Sequence, residues 1–214
     1  MNREHPLLKD IPMSQKQTLN KWLPQPKLKN RKPRIAIYDF DGTLFLSPDR
    51  EQGEAVYFES TGQMFPFGGW WGRPETLMPP IVPDKPGDEW FIQHTIDAFR
   101  KDSENEDTEC ILMTGRPFKI RKRVIEICEN KDLKFDAHFF RGQPGSKGRD
   151  TLQIKSNFIT EDLMHQELRI IEIHEDRPEH VSGFLDLAKK MKKEFGQLEK
   201  ILIHDAVLRV SHEI

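Results

Sequence analysis

Cysteine is nearly absent from this sequence: Cys110 and Cys128 are the two in 214 residues. Two thiols are too few for a disulfide scaffold or a cysteine-based zinc site, and each stands inside an apolar pattern, so both are expected to be reduced core residues. Also missing is any unbroken apolar run near the roughly 18–20 residues that cross a bilayer, which argues against a membrane protein. The opening residues MNREHPLLKD put no apolar stretch behind their charges, so no secretory signal is read there and a cytoplasmic setting is expected. Neither sign of charge dominates, with 33 basic and 35 acidic side chains and a net −2. A chain-wide nucleic-acid footprint is therefore not expected, and the question of partners passes to local motifs. Glycine (13) and proline (15) are too sparse for a collagen-like or disordered chain, and apolar clusters recur along most of its length. The length suits one domain with a small insertion.

Residues 1–33 are mostly polar, carry Pro24, Pro26 and Pro33, and read as an arm or linker; Lys21 to Arg34 holds six basic groups and no acid. That stretch is either a solvated leader or a contact for an anionic partner such as nucleic acid. From residue 34 to 214 the pattern changes. Arg34-Ile35-Ala36-Ile37-Tyr38-Asp39 is an apolar run of strand length that stops at an acid, as buried parallel strands do. Similar runs are Cys110–Met113, Leu168–Ile173 and Ile201–Ile203, and Phe135–Phe140 is a weaker one. Between them lie helical spacings: Ile92, Ile96, Phe99; Ile120, Val124, Ile127; Val181, Phe184, Ala188, Met191, Phe195. About five strands alternating with helices predict a doubly wound, Rossmann-like α/β fold with helices on both faces of a parallel sheet. Between about 45 and 88 the periodicity gives way to Gly, Pro and aromatics, which reads as a cap-like insertion folded over the site.

In such sheets ligands gather beyond the carboxyl ends of the strands. Three predicted strands end in polar chemistry: Asp39, Thr114, and His174-Glu175-Asp176. The densest signal is Tyr38-Asp39-Phe40-Asp41-Gly42-Thr43-Leu44, where two acids leave a buried strand and enter a glycine turn. Read alone, Asp-x-Asp-Gly also fits a plain turn or a loose calcium site. Two carboxylates facing one cleft repel unless a cation lies between them, and the geometry suits Mg²⁺.

Followed by Thr43, then Thr114-Gly115-Arg116, Lys155 and Glu175-Asp176, this segment resembles the haloacid dehalogenase (HAD) superfamily. The resemblance implies a Mg²⁺-dependent phosphohydrolase acting on phosphomonoesters. Asp39 would be the nucleophile that forms an aspartyl-phosphate, and Asp41 the acid and base. Thr114 and Gly115 would hold a phosphoryl oxygen, and Lys155 would offset charge there, with Lys119, Lys131, Lys134 and Lys147 as rivals for that place. Asp39, Asp41 and Asp176 would hold the metal, with Glu175 behind them. A second acid at Asp41 favours phosphatases over dehalogenases. Gly69-Trp70-Trp71, Thr151 to Lys155, and Glu175 to His180 further resemble the "Swiss Army Knife RNA repair-like" HAD proteins. That closer likeness implies nucleotides or nucleic-acid ends as substrates.

Other features carry two readings each. Arg116, Lys119, Arg121, Lys122 and Arg123 form either a solvated helix face or a guide for a polyanion. Trp70 and Trp71 either stack on bases or form the insertion's small core. His174 and His180 flank the last motif and read as structural or supporting groups. The rival functions are a phosphotransferase with an acceptor other than water, and a noncatalytic nucleic-acid-binding module.

Overall fold

A computed structural model describes residues 31–214, so the predicted basic arm before Arg31 lies outside the described residues. The described remnant of that stretch is spent internally: Arg31 donates to the Asp162 carbonyl, Lys32 to that of Thr108. Arg34 pairs with Asp102 and Glu172. Among the described residues no helix is long and apolar enough to cross a membrane.

The architecture is a six-stranded sheet in the order β3-β2-β1-β4-β5-β6. Its strands are β1 (Arg34–Tyr38), β2 (Thr108–Pro117), β3 (Ala137–Arg141), β4 (Ile170–Glu175), β5 (Lys200–Asp205) and β6 (Val210–Glu213). All neighbours run parallel except β5 and β6. This is the predicted α/β class, with one strand more than expected. The extra strand escaped notice because all four of its residues are exposed; an edge strand with no buried face carries no apolar alternation.

The helices are α1 (Arg50–Thr61), α2 (Gln93–Ser103), α3 (Arg121–Asn130), α4 (Thr151–Asn157) and α5 (Pro178–Glu194). Alternate residues of the strands sort into two apolar layers. Ala36, Tyr38, Cys110 and Leu112 pack with Ile96 and Phe99 of α2 and Val124 and Cys128 of α3. Ile35, Ile37, Ile111, Ile171 and Ile173 pack with Ile154 of α4 and Val181, Phe184 and Met191 of α5. Each such side chain contributes about 1.5–3 kcal/mol when fully buried. Both cysteines are buried and free, as expected.

The segment from 45 to 88 is more ordered than its sequence suggested. It contains α1, whose single buried residue is Gly53, so the helix shows no apolar stripe to read. Local chemistry defines it instead. Asp49 caps the Gln52 amide while the Gln52 side chain accepts from the Asp49 N–H. Farther on, Trp70, Leu77, Ile81 and Val82 enter the same apolar layer as β1 and β2, and Arg123 of α3 donates to the carbonyls of Leu77, Pro83 and Asp84.

Candidate active site

β1 lies between β2 and β4, in register such that Tyr38 faces Leu112 on one side and His174 on the other. The residues just past these positions therefore meet at one end of the sheet. Asp39 leaves β1 there, its amide donating to the His174 carbonyl at 3.1 Å. Its side chain is 2% exposed. Oδ2 lies 3.0 Å from Lys155 Nζ, and Oδ1 has no hydrogen-bond partner.

Lys155 comes from α4 and is buried. Its ammonium bridges Asp39 and the Glu175 Oε2, the latter at 2.7 Å. None of the four rival lysines is paired with Asp39 or Glu175 in this way. Glu175 in turn lies 3.1 Å from Nδ1 of His180, at the start of α5. Asp39, Glu175 and Asp176 each offer an oxygen within 4.8 Å of the others.

The electrostatics reflect this crowding. Burial pushes the Asp39 carboxyl above its ordinary range, opposed by Lys155 and assisted by the acids around it. Glu175 is held well below its usual value: burial works against its charge, but Lys155 and His180 outweigh that. Burial likewise disfavours the Lys155 ammonium, yet Asp39 and Glu175 raise it. Asp176 is pushed up to about 7 by partial burial and by charged Glu175 beside it. Three carboxyls with one fixed cation thus leave unbalanced negative charge and an unpartnered buried oxygen, a donor set that fits a hard divalent ion.

Asp41 is placed differently from the expectation that it joins the metal group. Its carboxylate lies outside the three-carboxyl cluster, gripped by Arg116 through Nε at 2.8 Å and Nη2 at 2.7 Å. Ser47 donates to the same group. Arg116 is 1% exposed and sits in β2, where the pairing with β3 slips between Thr114 and Pro117; such an irregularity re-aims side chains at a sheet's functional end. The basic cluster from 116 to 123 is therefore not one surface. Arg116 is buried on Asp41, Arg121 covers the Phe118 ring at 4.0 Å, and Arg123 ties the insertion to α3. The sequence missed the Arg116–Asp41 pair; its available signal was an arginine two residues beyond the strand-end Thr114.

Thr114 is buried, and its hydroxyl oxygen accepts from the Arg116 amide at 3.1 Å. Beside it, a Cβ on Gly115 would lie 2.8 Å from Thr151 Cγ2, so only glycine fits under α4. Thr43 donates to Asp176 at 3.4 Å. Gly42 has φ +72°, and a Cβ there would lie 2.2 Å from Asp176 Oδ2. Gly42→Ala is accordingly expected to cost at least about 1 kcal/mol in urea unfolding, the left-handed backbone alone accounting for that much, and to displace the Asp176 carboxyl.

A cleft of about 460 Å³ opens beside these groups, lined among others by Asp41, Trp71, Arg116, Arg141, Asp176 and Arg177. Arg141 and Arg177 were not singled out from the sequence, although Arg177 directly follows the last motif. The two tryptophans are placed differently. Trp70 is buried in the core with its indole N–H on the Pro48 carbonyl, whereas Trp71 is 47% exposed at the cleft, 4.9 Å from the Arg116 guanidinium.

Residues 53–213 match the family described as HAD domain family 1 in Swiss Army Knife RNA repair proteins. The uncharacterized protein YMR265C of Saccharomyces cerevisiae is 25% identical over 169 residues, which are 71% of this chain and 36% of the yeast protein. The chain thus spans about a third of that relative's length. Among solved structures, a chain of the Pnkp1/Rnl/Hen1 RNA repair complex has a TM-score of 0.47 at 16% identity, over 78% of this chain and 43% of that one. The haloacid dehalogenase-like hydrolase SP0104 of Streptococcus pneumoniae gives 0.42 at 13%, over 83% and 96%.

Proposed function

From the premise that the chain belongs to HAD domain family 1 of the Swiss Army Knife RNA repair proteins, we propose that it is a Mg²⁺-dependent phosphohydrolase of phosphomonoesters working through Asp39. The observation that carries this reading is the buried Asp39 carboxylate, paired to Lys155 on one oxygen and unpartnered on the other. Lys155 holds the carboxylate through one oxygen, and the other, free of hydrogen bonds, is left to attack.

Asp39 attacks phosphorus, and the bond to the leaving oxygen breaks as a proton brought in by the phosphomonoester monoanion passes through Asp41 to that oxygen. A water then attacks the aspartyl-phosphate while Asp41 takes up its proton and hands it to the departing phosphate, which returns both acids to their starting states. Thr114 and the Gly115 backbone hold phosphoryl oxygens, and Lys155 balances their charge from inside the fold. Asp39 and Asp176 would hold Mg²⁺, while the Asp41 carboxylate is committed to Arg116. Bound there, Mg²⁺ would neutralise charge developing on the phosphoryl group. Segment 45–88 serves as the cap. With Trp71, Arg141 and Arg177 around the cleft, the charge and the aromatic face suit nucleotides or the phosphorylated ends of nucleic acids. Two buried free thiols suit a cytoplasmic setting.

The test is a phosphatase screen over nucleotides, sugar phosphates and 3′- or 5′-phosphorylated oligonucleotides, with and without Mg²⁺. Release of phosphate that requires Mg²⁺ is expected, and none from any substrate overturns the reading. Addition of alcohol or nucleoside acceptors distinguishes hydrolysis from transfer.

Metal affinity should follow the Asp176 carboxyl. Its folded pKa of about 7 lies above the ordinary 3.8, so the proton is favoured in the fold. The stability it lends the metal-free protein is complete below about pH 4 and is lost as pH rises through about 7. An ion must displace that proton, so apparent Mg²⁺ affinity rises by up to about tenfold per pH unit below pH 7 and levels off above it. Asp176→Asn is expected to weaken Mg²⁺ at least about tenfold and to flatten this slope. Titration calorimetry from pH 5 to 8 measures both, and an unchanged titration removes the assignment.

A further inference from the structure

On β4 the side chains alternate: Ile171 and Ile173 enter an apolar layer, while Glu172 and His174 point to the other face of the sheet and are buried there at 6% and 7% exposure. Burial of an acid and an imidazole on a central parallel strand is costly without partners. His204 of β5 stands directly opposite His174 in the pairing, with the two rings stacked 4.3 Å apart. Nε2 of His174 and Nε2 of His204 are both buried and lack any hydrogen-bond partner. A pocket of about 410 Å³ opens onto them. Buried ring nitrogens without a hydrogen bond call for a water or an ion.

The surrounding contacts hold all three groups in place. Ser211 of β6 meets His204 Nδ1 at 2.6 Å, so the nitrogen on the side of Glu172 is Nε2. Arg34 holds Glu172 Oε1 at 2.7 Å, while Oε2 faces His204 Nε2 at 3.7 Å. Behind His174 stacks Tyr38, 4.3 Å away, its hydroxyl fixed on Asp102, which also takes Arg34. Partners that lock ligand rings and carboxylates from behind are the usual support of a metal centre.

We propose that Glu172, His174 and His204 form a second metal site, distinct from the Asp39 cluster, that binds a divalent transition ion of the Zn²⁺ class. Their donor atoms lie within 4.8 Å of one another. Donors on a tetrahedral Zn²⁺ with bonds of about 2.0–2.1 Å are roughly 3.3 Å apart, so the site closes by a contraction of at most about 1.5 Å. His204, at the rim of the pocket, supplies that movement by rotating its ring. Two imidazoles and a carboxylate select Zn²⁺ or Co²⁺ over Mg²⁺, whereas the all-oxygen Asp39 cluster has the opposite preference. The two centres therefore sort their ions by donor chemistry. A bound ion would join β4 to β5, with Ser211 of β6 bracing one ligand, and the pocket mouth leaves its fourth position open to water.

The experiment is titration of chelator-treated full-length protein with Zn²⁺, and with Co²⁺ followed by its visible absorption, in excess Mg²⁺. One equivalent with the spectrum of tetrahedral nitrogen–oxygen coordination is expected, retained in Asp176→Asn. His204→Gln, at a partly exposed position, should weaken Zn²⁺ at least about 100-fold, and Ser211→Ala about 10–100-fold. Circular dichroism checks that the variants are folded, and Glu172→Gln provides a second ligand test should either fail. Absence of binding, equal affinity in His204→Gln and Glu172→Gln, or loss of the Zn²⁺ site in Asp176→Asn would overturn the proposal. These readouts do not depend on phosphatase activity, so they stand or fall apart from the reading of the Asp39 site.

Discussion

Asp39→Asn is expected to lower turnover by at least about 10⁴-fold while leaving the protein folded. Asparagine has the same shape and can fill the same space, but its amide does not displace a leaving group from phosphorus. The cost to the fold is offset from two sides. Lys155 loses one carboxylate but keeps Glu175 at 2.7 Å. The site also loses one of three crowded acids, and burial already disfavours its charge. Activity and stability should thus separate in this variant. Acid-quenched protein provides a second readout: the parent should carry a phosphoryl mass after a brief reaction, and Asp39→Asn should not. Retained turnover in the variant would eliminate the covalent route. Asp41→Asn should behave otherwise, slow with alcohol leaving groups and less impaired when the leaving oxygen is already acidic, because a good leaving group needs no proton.

The parts of this molecule that could be read from sequence are those that burial marks. β1 and β4 are buried on both faces and read as unbroken apolar runs, and α5 buries residues at helical spacing; these signals located them within two or three positions. Sheet position then follows from topology, because residues at the carboxyl ends of neighbouring strands must meet. That is why Asp39, Thr114 and Glu175-Asp176 could be gathered without coordinates. What stayed hidden has no period. α1 is nearly all exposed and is set by a single capping box, and β6 is an edge strand with no buried face. The Arg116–Asp41 pair spans 75 residues and joins two groups whose types alone suit many other partners. Among charges, Arg116, Arg121 and Arg123 lie within eight positions yet go to a carboxylate, a ring and three carbonyls. Side-chain destination depends on the strand slip at Thr114 and on the insertion above it, and neither leaves a mark in local composition.

Arg116 carries the other large effect. With side-chain exposures of 1% for Arg116 and 12% for Asp41, the pair is largely out of water, and removing one member leaves a buried charge unmatched. Arg116→Ala is therefore expected to destabilise the protein by about 3–5 kcal/mol in denaturant unfolding. Arg116→Lys keeps the charge but not the fork that fixes the plane of the Asp41 carboxylate, and a misplaced proton donor should lower kcat by about 10²-fold with a smaller change in KM. The two roles separate in a double-mutant cycle. Asp41→Ala combined with Arg116→Ala removes both charges, so its stability loss should fall well short of the sum of the single losses. Activity should remain absent in the double variant, since the acid itself is gone. Additive stability losses would mean that the guanidinium serves the fold through Thr76 and the Trp71 carbonyl, which it also touches at 3.2 and 3.4 Å, and not through Asp41. A full kcat in Arg116→Lys would mean that charge alone, without orientation, is what Asp41 requires.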